Sequence, residues 1–122
     1  MKYIVFLLLF ALNALKAQIE ISTTNVLYYQ YNANECIFDL INIIQIENEF
    51  KIYKEEIIVK SNDKTYRYII VKDHLIDYID KKAWYTEHNE KILYYIGKSI
   101  LILYYNYNEN TYRYDNYMIF YN

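Results

Sequence analysis

The chain has no proline, one glycine, one cysteine, one tryptophan and two arginines among 122 residues. Without proline and with so little glycine, collagen-like and proline-rich repeats are excluded, and folds built on glycine loops or proline corners are disfavoured. A single cysteine excludes a disulfide scaffold and any disulfide within the chain. Two arginines, Arg67 and Arg113, in a chain of net charge −2 leave no basic footprint for nucleic acid or an anionic membrane. What is abundant is apolar and aromatic: 55% hydrophobic residues, 18 tyrosines among them, exclude a disordered chain. The length suits one domain.

The first residues are laid out as an export signal. Met1 and Lys2 form a short charged start, residues 3–12 are an unbroken apolar run, and residues 13–17 end in the small Ala17. The run is shorter than the roughly 20 apolar residues a spanning helix needs. Cleavage is expected after Ala17, although Leu15 stands where a small side chain is preferred. Removal of Lys2 and Lys16 makes the mature domain, 18–122, more acidic. Cys36 lies too far from the cut to carry a lipid, so no stable membrane anchor is expected after cleavage. Its place before Ile37 and Phe38 predicts burial.

No linker divides residues 18–122, and their Ile, Val, Thr, Tyr and Phe fit a pleated surface. An AT-rich genome would give a similar enrichment, so the turn residues carry more weight. Asn62-Asp63 separates 57–60 from 65–71, and His88-Asn89 separates 83–86 from 92–96. Gly97-Lys98 separates 92–96 from 99–105, with glycine where a type II′ hairpin turn needs positive φ. Residues 106–110 then lead into 111–114, and 117–121 close the chain. Short apolar runs broken by polar turns predict successive antiparallel strands. Asp73 and the residues to Asp80 suit one or two helical turns behind an N-cap. Residues 35–49 fit an amphipathic helix by their polar spacing, or strands by their five isoleucines with a turn at 47–49. The strand reading is preferred. The run 100–105 is apolar on both faces and so predicts a central strand covered on both sides.

Thr-Tyr-Arg-Tyr occurs at 65–68 and again at 111–114, and the two copies hold both arginines. Arg67 and Arg113 with Tyr66, Tyr68, Tyr112 and Tyr114 are therefore the candidate ligand-binding residues. Arginine forks beside tyrosine platforms suit a sugar, carboxylate or phosphate. On a strand, however, each arginine points away from its two tyrosine neighbours, and cross-strand tyrosine packing is ordinary sheet stabilisation. Tyr28, Tyr29 and Tyr31, with Tyr104, Tyr105 and Tyr107, offer a second candidate cleft. Two loose acid–histidine groups, one with Asp73, His74, Asp77 and Asp80 and one with Glu87, His88 and Glu90, lack metal-site spacing. No nucleophile elbow, phosphate loop or zinc-protease motif occurs, and Glu55-Glu56 face opposite ways on a strand. No enzymatic activity, metal or cofactor is expected.

The signal ending Lys16-Ala17-Gln18, the block 57–71, Ala83-Trp84-Tyr85 before a polar turn, and the closing Tyr112-Arg113-Tyr114 and Met118-Ile119-Phe120-Tyr121 carry a loose resemblance. In these the chain resembles short exported β-rich proteins of Bacteroidetes-type bacteria. That resemblance implies export and an antiparallel sheet, and no activity. The expectation is an exported, periplasmic or secreted, all-β domain, either a meander sheet or a small lipocalin-like barrel. It would bind a small ligand or glycan through tyrosine-rich surface or cavity. The alternative is a protein-interaction module: an inhibitor, an immunity-type protein or an envelope component.

Overall fold

Eight antiparallel strands follow one another in chain order in the computed structural model, and the last pairs with the first to close a barrel. They are β1 (Ile19–Asn32), β2 (Ile37–Ile52), β3 (Glu56–Ser61), β4 (Lys64–Tyr78), β5 (Lys81–Thr86), β6 (Lys91–Tyr95), β7 (Ile100–Asn108) and β8 (Arg113–Tyr121). The structure describes residues 17–78 and 80–122, with the backbone alone over 72–78. The expected export signal, up to Lys16, lies outside the described residues. The all-β expectation holds, and the small barrel is the form adopted.

Alternation decides which side chains fill the barrel. In β3, Ile57 and Val59 are buried while Lys60 is exposed, and in β7 Leu101 and Leu103 are buried between half-buried neighbours. The core joins Ile21, Val26, Phe50, Ile52, Ile57, Val59, Trp84, Ile92, Leu101, Leu103 and Phe120. Ile52 and Ile57 face each other across β2 and β3 at 1% and 0% exposure, which plugs the end where β3 begins. Phe50 and Phe120 meet edge to face with ring centroids 4.9 Å apart.

Several local expectations are corrected. Residues 73–78 continue strand β4, pairing Asp73 with Trp84, His74 with Ala83 and Tyr78 with Lys81, rather than forming a helix. A short helix has a costly nucleus, and here β5 offers Asp73, His74 and Tyr78 ladder partners instead. Residues 47–49 do not turn. Asn48 pairs with Thr23 and Ser61, so β2 runs straight through to Ile52, and the reversal falls at Tyr53–Glu56, closed by Tyr53 N–H to the Glu56 carbonyl at 2.9 Å.

Cys36 is exposed, because it ends the β1–β2 turn at φ 56° instead of entering β2. Gly97 does adopt positive φ, 78°, but in a four-residue connection closed by Lys98 N–H to the Tyr95 carbonyl. It therefore is not the first residue of a two-residue turn. Asn106 lies within β7 at φ 55°, and residues 113–121 form one strand rather than two. The turns at Asn62-Asp63 and His88-Asn89 stand as expected, with Asn62 and Asn89 at φ 53° and 59°. β7 is central, between β6 and β8, yet neither the 73–80 segment nor the 35–49 segment covers its outer face, since both are barrel staves.

Candidate functional site

The inner faces of β1, β2, β3, β4, β6, β7 and β8 enclose a cavity of about 270 Å³. Its walls are mostly aliphatic and phenylalanine side chains, among them Val26, Ile46, Phe50, Val59, Leu103 and Phe120. Polar atoms come from Asn48, Ser61, Tyr28, Tyr66 and Tyr68. Tyr66 is 45% exposed and lines the cavity, so the cavity opens to solvent there. Trp84, 7% exposed, pairs with the cavity-lining Ile92 and stands in the same core.

The first Thr-Tyr-Arg-Tyr copy explains this wall directly. In β4 the alternation sends Tyr66 and Tyr68 inward and Arg67 outward, where its Nε sits 3.1 Å from Glu56 Oε2. Burial raises the Tyr68 phenol to about 12, and the Glu90 carboxylate and Tyr66 add to the shift. Glu90 is held above the β5–β6 turn by the Thr86 hydroxyl, which donates to Oε1 at 2.8 Å. Tyr68 is thus a neutral hydrogen-bonding phenol at any physiological pH.

The second copy is not equivalent. Thr111 and Tyr112 lie in the β7–β8 connection, Tyr112 at φ 55° and 84% exposed, and only Arg113 and Tyr114 enter β8. Arg113 lies over the Tyr31 ring, 3.5 Å from guanidinium carbon to centroid. Its Nε lies 3.6 Å from Asp115 Oδ1 and, though buried, has no hydrogen-bond partner among the described residues. The Tyr31 phenol is raised chiefly by its hydrogen bond with Cys36, against the lowering pull of Arg113. The six candidate residues therefore divide. Tyr66 and Tyr68 share the cavity, Arg67 is on the outer wall, and Arg113, Tyr112 and Tyr114 belong to the rim. No single arginine–tyrosine site gathers them.

The second candidate cleft also divides. Tyr28 lines the cavity and Tyr105 packs on the core. Tyr29 and Tyr104 face outward, where Tyr29 stacks on Tyr117 with centroids 4.6 Å apart and planes at 14°. Tyr104 lies 5.6 Å from Tyr117 and 5.7 Å from Tyr114, and Phe38 bridges Tyr31 and Tyr117 at 5.3 Å and 4.9 Å. Burial raises the Tyr104, Tyr114 and Tyr117 phenols in this cluster.

Beside it, the strand register places Ile43, Leu27, Ile119, Ile102, Leu93 and Ala83 as successive partners across β2, β1, β8, β7, β6 and β5. Sequence reasoning missed this continuous outer wall. Its only trace in the sequence is the run 100–105, apolar on both faces. Among the described residues no group of three or more His, Cys, Asp or Glu side chains is placed to hold a metal ion. No protein-family model, curated protein or solved structure matches this chain.

Two measurements check these placements. Arg67→Ala is expected to cost about 0.5 kcal/mol, as exposed ion pairs do, whereas Arg113→Ala loses its stacking on Tyr31 and is expected to cost about 1–1.5 kcal/mol. Urea denaturation separates the two, and equal losses would contradict the rim packing. The second is a pH series. A phenol whose folded pKa exceeds its unfolded value contributes stability that is intact below the unfolded pKa and lost as the pH rises toward the folded one. For Tyr68 that window runs from 10.0 to about 12. Stability is expected to fall above about pH 10, and Tyr68→Phe to remove about 2 kcal/mol of that fall.

Proposed function

We propose that the barrel is an exported, non-enzymatic binding protein whose cavity takes a small, uncharged and largely apolar ligand. The observation that carries this reading is the cavity of about 270 Å³ inside a closed barrel, lined by apolar side chains and by the Tyr28, Tyr66 and Tyr68 phenols. Ligand sites are typically concave, apolar and provided with a few polar groups that orient the ligand, and this volume sits at their small end. Among the described residues no charged side chain lines the cavity, and an ionised ligand would lose hydration there without a compensating partner. A sugar, with a hydroxyl on most carbons, would leave many polar atoms against the aliphatic wall. Export is supported by the pattern of residues 1–17, and a role as carrier or receptor rather than catalyst by the absence of catalytic motifs in the sequence.

The test uses the chain's one tryptophan. Trp84 is in the core beside the cavity, so a neutral naphthyl probe such as N-phenyl-1-naphthylamine is expected to quench it by energy transfer, saturably and at one site. Failure to saturate, or transfer that persists after unfolding in urea, would contradict the reading. The second reading, a protein-interaction module, is favoured by the outward cluster of Tyr29, Tyr104, Tyr114 and Tyr117, because tyrosine suits protein interfaces.

A further inference from the structure

One rung of the barrel wall is polar on its inner side. Thr23, Asn48 and Ser61 are ladder partners in turn across β1, β2 and β3. Asn48 and Ser61 line the cavity, where the wall beside them is Ile46, Phe50 and Val59. Thr23 and Asn48 are 1% and 4% exposed, so bulk solvent does not serve their polar groups. Asn48 Nδ2 donates to the Ile46 carbonyl at 3.2 Å, which fixes the amide. Thr23 Oγ1 is buried and has no hydrogen-bond partner among the described residues.

The wall opens at this rung. β1 shifts register between Thr23 and Asn25, and the β2–β3 pairing ends at Asn48 and Ser61. Beyond it lies a second hollow of about 450 Å³, lined by Thr23 and Asn48 together with Thr24, Glu47, Lys60 and Asn62. Asn48 thus lines both spaces, and the last four residues are exposed, so the hollow reaches solvent. A buried hydroxyl without a partner destabilises a fold, and valine would fill the same shape without that cost. Aimed into a hollow, such a hydroxyl points to a bound hydrogen-bonding group.

We propose that Thr23, Asn48 and Ser61, with the hollow beyond them, hold the hydroxyl head of a neutral amphiphile whose apolar body fills the cavity. This rests on the cavity reading above and adds the chemistry of the ligand's polar end. Thr23 and Ser61 each donate and accept, and Asn48 offers an amide, so the head that matches them also does both: an alcohol or a diol. An ether oxygen only accepts. Ionic heads fit less well. Glu49, also at the hollow, pairs with Lys60 across the ladder and lies 3.7 Å from Lys51, so a charge of either sign meets its like there. The hydroxyls must stand at one end of the molecule, because the remaining cavity wall is mostly apolar.

Displacement of bound N-phenyl-1-naphthylamine by competitors of equal carbon number tests the proposal. Octane-1,2-diol is expected to displace it at about fivefold lower concentration than dibutyl ether, the effect of one net hydrogen bond. Thr23→Val removes the unpartnered hydroxyl at nearly constant shape. Its melting temperature is expected to rise, while the preference for the diol falls to within about twofold and the probe's own affinity is unchanged. Thr23→Ser keeps a hydroxyl and is expected to keep the preference. Should Thr23→Val fail to fold, the diol preference of the unmodified protein and of Thr23→Ser still decides. No preference for the diol over the ether overturns the proposal, and so does a preference that survives Thr23→Val. Octanoate or octylammonium acting at lower concentration than the diol overturns it too, by making the head ionic. A probe that saturates without any diol preference removes this inference alone, whereas a probe that never saturates removes the cavity reading with it.

Discussion

Truncating Ile57 to Ala is expected to lower the barrel's stability by about 3–4 kcal/mol, within the range of buried large-to-small substitutions. Ile57 is 0% exposed, pairs with Ile52 on one side and Tyr68 on the other, and does not line the cavity. Its methyl groups have no solvent to retreat to and no adjacent space into which the wall relaxes, so the void remains and the lost contacts count in full. In a domain of this size each kcal/mol shifts the melting temperature by roughly 4–8 °C, so a fall of more than 10 °C is expected. Ile44, half-buried at the cavity wall, gives the contrast. Ile44→Ala enlarges a space that already exists and reaches solvent, and is expected to cost about 1 kcal/mol. Equal costs for the two would contradict the division of the barrel into a plugged end and a hollow one.

Val59→Phe is expected to abolish probe binding while leaving the fold intact. Val59 is 5% exposed, lies between Phe50 and Tyr66 in the ladder, and lines the cavity. A phenyl ring there takes up a large share of a space of about 270 Å³ that a ligand needs. Overpacking a filled core costs about 1–3 kcal/mol, but insertion into existing space costs less. The expected outcome is a melting temperature close to that of the unmodified protein, with affinity for the naphthyl probe at least tenfold weaker, a loss of about 1.4 kcal/mol. If binding is unchanged, the probe sits on the outer tyrosine cluster instead.

Much of the strand order was legible because the chain turns on asparagine and glycine. Asn62, Asn89 and Gly97 all adopt positive φ, and each marks a reversal that its residue type announces. Tyr66 and Tyr68 were legible as a pair on one face, from alternation alone. The rest depends on partners remote in sequence. Residues 73–78 read as a helical turn in isolation and became a strand because β5 supplies their ladder. The second Thr-Tyr-Arg-Tyr copy matches the first in sequence, yet its first two residues fall in a connection, since the β7–β8 turn consumes them. Cys36 precedes an apolar run and is nevertheless exposed, because the turn from β1 ends on it. Closure itself rests on β1 meeting β8, Val26 against Phe120 and Leu27 against Ile119, across most of the chain. Only that closure turns an alternating pattern into an inside and an outside.

Methyl-resolved NMR during titration with N-phenyl-1-naphthylamine separates a small apolar molecule inside the barrel from one bound to its outer wall. Saturable shifts are expected at the inward methyls of Val26, Ile46, Val59, Leu103 and Met118, with the outward methyls of Leu27, Ile43, Ile102 and Ile119 unmoved. Shifts confined to the outward set would contradict binding inside the barrel.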